Sequence, residues 1–205
     1  MGLHLISVHH AEHGLAAVER VSAAVPGLGP RVVGRSDAVN GAVVLATCNR
    51  LEVYVDADAD VEEVAGQVRG AIAEGLAFGE LPAGEAPAGG PQAGAVPVSA
   101  LTAGDALQHL FHVGAGLDSM VIGEREIAGQ LRRALRAAQA EGTATGLLIE
   151  TIEQALRTAR KVSHLTRLAA NGRSVVTVGL DLLSVDWPNA HVLLLGTGAY
   201  AGAVV

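Results

Sequence analysis

One cysteine, Cys48, is all the thiol chemistry this 205-residue sequence holds. An internal disulfide framework is therefore excluded, and a reducing compartment fits. Aromatic residues are almost missing at 2%, although half of the residues are apolar. A core of Ala, Val and Leu must be held by close approach of its elements rather than by large rings. Basic excess is missing too: the formal net charge is -7, so bulk charge draws in no nucleic acid, and any contact with RNA needs a local patch. The N-terminus lacks the basic n-region of a signal peptide. The longest apolar run, Ala190 to Val205, is too short to span a bilayer and carries three glycines. These absences lead to the expectation of a soluble cytoplasmic protein with no membrane partner.

What is present reads as strands and helices in a definite order. Leu3 to Val8 reads as a strand by its apolar and β-branched content. Gly14 to Ala24 has Leu15, Val18 and Val21 at helical spacing, and Pro26, Gly27, Gly29 and Pro30 are expected to end that helix. Ala42–Ala46 is a short apolar run, as in a buried strand. Leu51–Val55 alternates strictly and predicts a strand with one wet face. Only Thr47, Cys48, Asn49 and Arg50 separate these two strands, a hairpin-length connection. Val61, Val64, Ala65, Val68 and Ile72 mark a second helix, residues 79–97 read as a loop, and Ala95–Val98 is placed as an edge strand. The order β-α-β-β-α-β is the ferredoxin-like, split βαβ arrangement of an α+β domain.

Long helices follow. Thr102 and Asp105 suggest a variant capping box for a helix through Val113. Glu124–Glu141 carries one apolar face, with Gly142 at its C-cap position. Leu147 to Arg167 and Arg173 to Ser184 are the next two helices, before His191–Leu195 runs into Gly196-Thr197-Gly198-Ala199-Tyr200-Ala201. A buried strand followed by a GxGxxA turn suits a pyrophosphate, because glycines let the backbone approach it closely. The chain ends within what would be the first helix of that fold, and one strand with half a helix cannot make a doubly wound sheet. The sequence thus divides into a domain at 1–160 and a connecting helix with the start of a truncated Rossmann domain at 161–205.

Two constellations carry chemistry. Cys48 sits at a polar hairpin tip; a lone cysteine is usually a small buried hydrophobe, but a loop tip is accessible and Arg50 nearby favours thiolate. The stretch His109 to Glu124 places a histidine on a helix, then a Gly-rich turn with Asp118 and Ser119, then a helix opened by Glu124. Its helix start suits an anion or polar substrate group. The plainer reading is a helical hairpin whose Asp118 and Ser119 form the turn. Arg157, Arg160, Lys161, His164 and Arg167 share one helix face, which is either a solvated surface or a contact for RNA phosphates.

Ala46-Thr47-Cys48-Asn49-Arg50-Leu51-Glu52-Val53-Tyr54 resembles the first signature of the glutamyl-tRNA reductases, and residues 109–124 resemble their second, with Gln130 also in place. The resemblance covers residues 1–205, about the first half of a family member. It implies that Cys48 attacks the ester joining glutamate to tRNA(Glu), forming a thioester that NADPH reduces to glutamate-1-semialdehyde, the entry to 5-aminolevulinate and tetrapyrroles. By the same resemblance Arg50 binds the substrate carboxylate, and Thr47, Asn49, Ser119, Glu124, Arg125, Glu126 and Gln130 line the glutamate pocket. His109 stands near the thiol as acid/base or polar support, and Gly196, Thr197, Gly198, Ala199, Tyr200 and Ala201 bind NADPH. No metal is implied. The implied partners are glutamyl-tRNA, the next enzyme of the pathway (glutamate-1-semialdehyde aminomutase) and a second copy, joined through a domain absent here. A chain of this extent is expected to lack complete reductase activity.

The sequence departs from the pattern at Val8 to His13, where the family has Ser-His-Arg-Thr-Ala-Pro, at His112 in place of arginine, and at Glu126 in place of glutamine. Those departures keep a non-catalytic paralogue that binds tRNA or a partner enzyme in view. A generic NAD(P)-dependent dehydrogenase explains the glycine turn but leaves Cys48-Asn49-Arg50 unexplained.

Overall fold

The computed structural model describes residues 2–78, 96–124, 126–166 and 175–195. Four strands form one antiparallel sheet: β1 (Gly2–His9), β2 (Val39–Ala46), β3 (Arg50–Ala57) and β4 (Ser99–Thr102), in the order β2-β3-β1-β4. β3 lies between β1 and β2 and runs antiparallel to both, with Val8 opposite Leu51 and Ala46 opposite Leu51 from the other side. This is the split βαβ arrangement that the element order predicts.

The β1–β2 crossover differs from expectation. It holds three helices: α1 (His10–His13), α2 (Leu15–Ser22) and α3 (Leu28–Val33). The Gly/Pro run expected to be a terminator starts α3 instead. Pro30 is its third residue, within the first turn, where a missing N–H costs no helical hydrogen bond. Arg31 fastens the crossover: its Nη1 donates to Pro26 O at 2.8 Å and its Nε to Ala71 O at 3.2 Å on α4 (Val61–Phe78).

β4 also falls later than expected, at Ser99–Thr102 rather than Ala95–Val98, pairing Leu5 with Leu101 and Ser7 with Ser99. Val96 is buried in the core, so its apolar signal is one of packing, and Pro97 has no N–H to give a ladder. Thr102 precedes α5 (Ala103–Gly114), yet its side chain makes no capping hydrogen bond. A cap unforeseen from the sequence starts α7 (Gly146–Leu165), where Thr145 Oγ1 accepts from Leu148 N at 3.4 Å. Gly142 closes α6 (Glu126–Glu141) as expected. It takes φ +73°, with Gly142 N donating to Gln139 O and Thr143 N to Ala138 O, the paired bonds of a Schellman cap.

Both faces of the sheet are covered. Ile6, Val8, Leu51, Val53 and Val55 pack on α2, α3 and α4. Leu3, Leu5, Val43, Leu45 and Tyr54 pack on α5, α6 and α7. The wet face expected for β3 is therefore dry: every residue from Arg50 to Ala57 is buried. The alternation itself is real, but three long helices follow the sheet and cover its polar side.

Beyond α7 come α8 (Val175–Asp181) and a 3-10 turn at Trp187–Asn189. α7 itself runs unbroken through the boundary drawn at 160. His191–Leu195, expected as a strand, pairs with no strand among the described residues and its leucines are exposed. A strand needs a neighbour for its N–H and C=O groups, and the sheet it was assigned to is not among these residues. No helix among the described residues is long and apolar enough to cross a membrane.

Candidate active site

The β2–β3 hairpin sets the position of the thiol. Thr47 N donates to Arg50 O at 2.9 Å, and Thr47 Oγ1 accepts from Asn49 N at 3.1 Å. No tip residue has a positive φ, so the bend is held by the threonine hydroxyl rather than by a primed hairpin turn. His10 N donates to Asn49 O at 3.0 Å, tying the tip to the end of β1. Cys48 projects from this braced corner and is exposed.

Two residues along β3 lies a buried carboxylate. Glu52 is 0% exposed and accepts three hydrogen bonds: from Arg50 Nη1 at 3.0 Å, from His109 Nε2 at 2.8 Å and from the Tyr54 hydroxyl at 2.6 Å. Burial pushes its carboxyl up, but His109, Arg50 and Tyr54 together outweigh burial and hold it below the usual range. His109 moves the opposite way. Burial lowers its imidazole, and the Glu52 hydrogen bond and charge more than reverse this, so it ends above its ordinary value. Burial beside the Glu52 charge raises the Tyr54 phenol well above the usual tyrosine range.

Arg50 is 2% exposed, and its fork is taken up within the protein. Nη1 also reaches Asp118 Oδ2 at 2.7 Å, and Nη2 donates to Asp118 O. Burial opposes the guanidinium charge, and Glu52 and Asp118 overcome it, raising its pKa. Glu52, His109 and Asp118 each bring a ligand atom within 4.8 Å of the others, the only such group among the described residues. Arg50 Nη1 already bonds both carboxylates, so a cation's place there is filled by the guanidinium.

Asp118 comes from a loop with a narrow neck. α5 ends in a second Schellman cap, Leu117 N to His112 O and Gly116 N to Val113 O, with Gly116 at φ +72°. Gly123, at φ +87°, then returns its N–H to Gly116 O at 2.9 Å. The loop between them turns Asp118 toward Arg50 while Leu117, Met120 and Ile122 remain exposed.

The sequence-predicted pocket comes together in part. Thr47, Cys48, Asn49, Arg50, Ser119, Glu124 and Gln130 line one cleft with Ile127. Glu126 is not in its lining and accepts instead from Gln130 Nε2 at 3.4 Å. His109 is in the Glu52 cluster rather than the cleft wall. Arg125 and Gly196 to Ala201 lie outside the described residues. Glu124 Oε1 is buried with no hydrogen-bond partner among the described residues; burial first, then Glu126, raises its carboxyl.

Glu52 and Asp118 were missed as site residues. Arg50, Glu52 and Tyr54 recur at every second position, which places them on one face of β3, and that spacing was the available signal. Alternation alone predicts a solvent-facing stripe there, whereas the face meets helices. Asp118 read as a turn former, and its bond to Arg50, 68 residues away, leaves no local pattern.

The family model described as "Glutamyl-tRNAGlu reductase, N-terminal domain" matches residues 6–166. A glutamyl-tRNA reductase of Micrococcus luteus is 46% identical, over 98% of this chain and 44% of its own length. That of Kocuria rhizophila is 40% identical, over 100% of this chain and 46% of its own. The chain thus spans less than half the length of these curated relatives. The solved glutamyl-tRNA reductase from Methanopyrus kandleri shares the fold, with TM-score 0.63 at 24% identity, over 80% of this chain and 35% of that one. Matched over most of its length by that family model, and built on that fold, the chain belongs to the glutamyl-tRNA reductase family through its N-terminal domain.

Proposed function

We propose that Cys48 is the nucleophile that takes a glutamyl group from its tRNA ester, the opening half of the reductase reaction. The observation that carries this reading is the cleft: an exposed thiol on a braced hairpin, ringed by hydroxyl, amide and carboxyl groups from two distant segments. The thiolate adds to the ester carbonyl, the C–O bond breaks, and the ribose hydroxyl departs with a proton, leaving a glutamyl thioester. Thr47 and Ser119 supply hydroxyls, and Asn49 and Gln130 supply amides, to orient the acyl group. The Glu124 oxygen, without a partner among the described residues, suits the α-ammonium group, whose charge would relieve the cost of burying that carboxylate.

The cleft, about 20 Å³, has room for about one water molecule. A glutamyl group therefore enters by moving the Gly116–Gly123 loop. Of the two carboxylates on Arg50, Asp118 is the replaceable one: its side chain is 40% exposed, against 1% for Glu52. In this reading the substrate carboxylate takes over the guanidinium from Asp118, while Glu52 keeps it aimed.

Reduction of the thioester requires a hydride, which NADPH supplies in the scheme the resemblance implies, giving glutamate-1-semialdehyde on the C5 route to tetrapyrroles. Delivery to the aminomutase and pairing of two copies in the whole protein belong to the same proposal.

The test is to incubate the chain with radiolabelled glutamyl-tRNA and isolate acid-stable, hydroxylamine-labile label on Cys48. Cys48→Ser is expected to lose the label and keep its thermal midpoint. An unlabelled wild type would refute the proposal in favour of a non-catalytic relative, and cofactor binding without label would favour a generic dehydrogenase.

A further inference from the structure

Arg157 and Arg160, two of the basic residues singled out after Leu147, form half of a larger feature, while Arg167 lies outside the described residues. Arg132 and Arg136, one turn apart on α6, face Arg157 and Arg160 on α7 across a groove of about 280 Å³. Its one acidic wall residue is Glu153, which binds Arg157 Nη1 at 3.1 Å. Arg132, Arg136 and Arg160 have no carboxylate partner among the described residues. In a chain of net charge -7, this concentration of uncompensated guanidinium groups is a local reversal of sign.

The groove is also connected to the thiol. Arg132, Leu156 and Arg160 are shared with a second groove of about 170 Å³ between α6 and α7. That groove in turn shares Glu124 with the Cys48 cleft. The three depressions therefore adjoin one another through shared wall residues, Glu124 at one junction and Arg132, Leu156 and Arg160 at the other.

We propose that this α6–α7 groove is the seat of an RNA phosphodiester backbone, the polynucleotide whose ester is presented to Cys48. The inference rests on the proposed thiol chemistry for its direction, because the rest of an ester substrate must leave the cleft somewhere. The charge of the arginine groove, its guanidinium lining and its concavity fit phosphates. An acidic protein segment is the competing occupant, and nothing in that alternative accounts for continuity with the thiol.

The experiment measures binding of labelled, uncharged tRNA by fluorescence anisotropy as a function of salt. Arg132→Gln with Arg160→Gln is compared with a charge-matched pair outside the groove, Arg20→Gln with Arg133→Gln, all folded by circular dichroism. The groove pair is expected to weaken binding about tenfold or more and to lower the slope of log K against log salt by about 1.4, two phosphate contacts at about 0.7 each. The control pair is expected to change affinity less than about twofold. Equal losses in both pairs, no loss in the groove pair, or no RNA binding by the wild type would overturn the proposal. So would groove-dependent binding of an oligoglutamate peptide together with groove-independent binding of RNA. Cys48 acylation by a small activated glutamyl ester, measured in parallel, is expected to be equal in all three proteins. Its failure would count against the thiol chemistry alone, because the tRNA comparison does not depend on it.

Discussion

Replacing Glu52 by glutamine keeps the side-chain volume and removes one charge from a site that water does not reach. Three donors lose their acceptor's charge together: Arg50 Nη1 at 3.0 Å, His109 Nε2 at 2.8 Å and the Tyr54 hydroxyl at 2.6 Å. Breaking a buried ion pair from one side costs about 3–5 kcal/mol, mostly because the surviving charge is left buried. Two features place Glu52→Gln at the low end, about 3 kcal/mol. Arg50 keeps Asp118, and His109 sheds its proton. Urea unfolding followed by circular dichroism measures the loss, with wild type and variant compared at one pH. The difference should depend on pH in a definite way. The Glu52 carboxyl is depressed, so its contribution is complete above the unfolded value of 4.5 and is lost as pH falls through the folded one. The His109 imidazole is raised, so its contribution is complete below 6.5 and is lost as pH rises through the folded value. The gap between the proteins is therefore widest between pH 4.5 and 6.5 and narrows on either side. In the variant, burial acts on His109 unopposed by Glu52, and its NMR titration should move below 6.5. A loss under about 1 kcal/mol, or an unmoved His109, would refute the idea that Glu52 anchors this cluster.

Three other substitutions probe the surrounding frame. Arg50→Lys leaves one ammonium where a fork spans Glu52 and both Asp118 acceptors; it should lose about 2 kcal/mol of stability and most Cys48 acylation, with uncharged-tRNA affinity unchanged. Equal weakening toward charged and uncharged tRNA would count against it. Gly116→Ala puts a methyl 2.7 Å from Glu124 O at φ +72°, so amide exchange should accelerate across residues 116–124 and acylation should fall, while the sheet stays protected. Unchanged exchange there would mean that the neck tolerates a side chain. Gly41→Ala aims a methyl at Thr143 O, 2.5 Å away, where the α6–α7 linker crosses β2; a loss of about 2 kcal/mol or more in urea is expected, and a neutral result would show that the linker yields.

How far the sequence discloses this arrangement depends on whether each feature is local. Strands β1 to β3 and the long helices have their period written into consecutive residues, and they form where that period places them. The thiol hairpin is equally local, and Thr47 to Arg50 with Ser119, Glu124 and Gln130 do share one cleft. β4 is the contrary case. Ser99-Ala100-Leu101-Thr102 is a short edge in which no residue is fully buried, so the apolar signal at Val96 and Val98 places the expected strand four positions early. α3 was hidden because Pro30 reads as a breaker unless the helix start is known to fall at Leu28. The deepest miss was Glu52, and its cause is instructive. Alternation along a strand says which residues share a face, but only the rest of the fold says what that face meets. Here α5 to α7 supply a lid of helices over a polar stripe, and burial turns an ordinary surface pattern into an obligatory charge cluster. Asp118 completes that cluster from an exposed loop, so in the proposed reaction the contact that satisfies Arg50 is also the one that an incoming carboxylate would most readily replace.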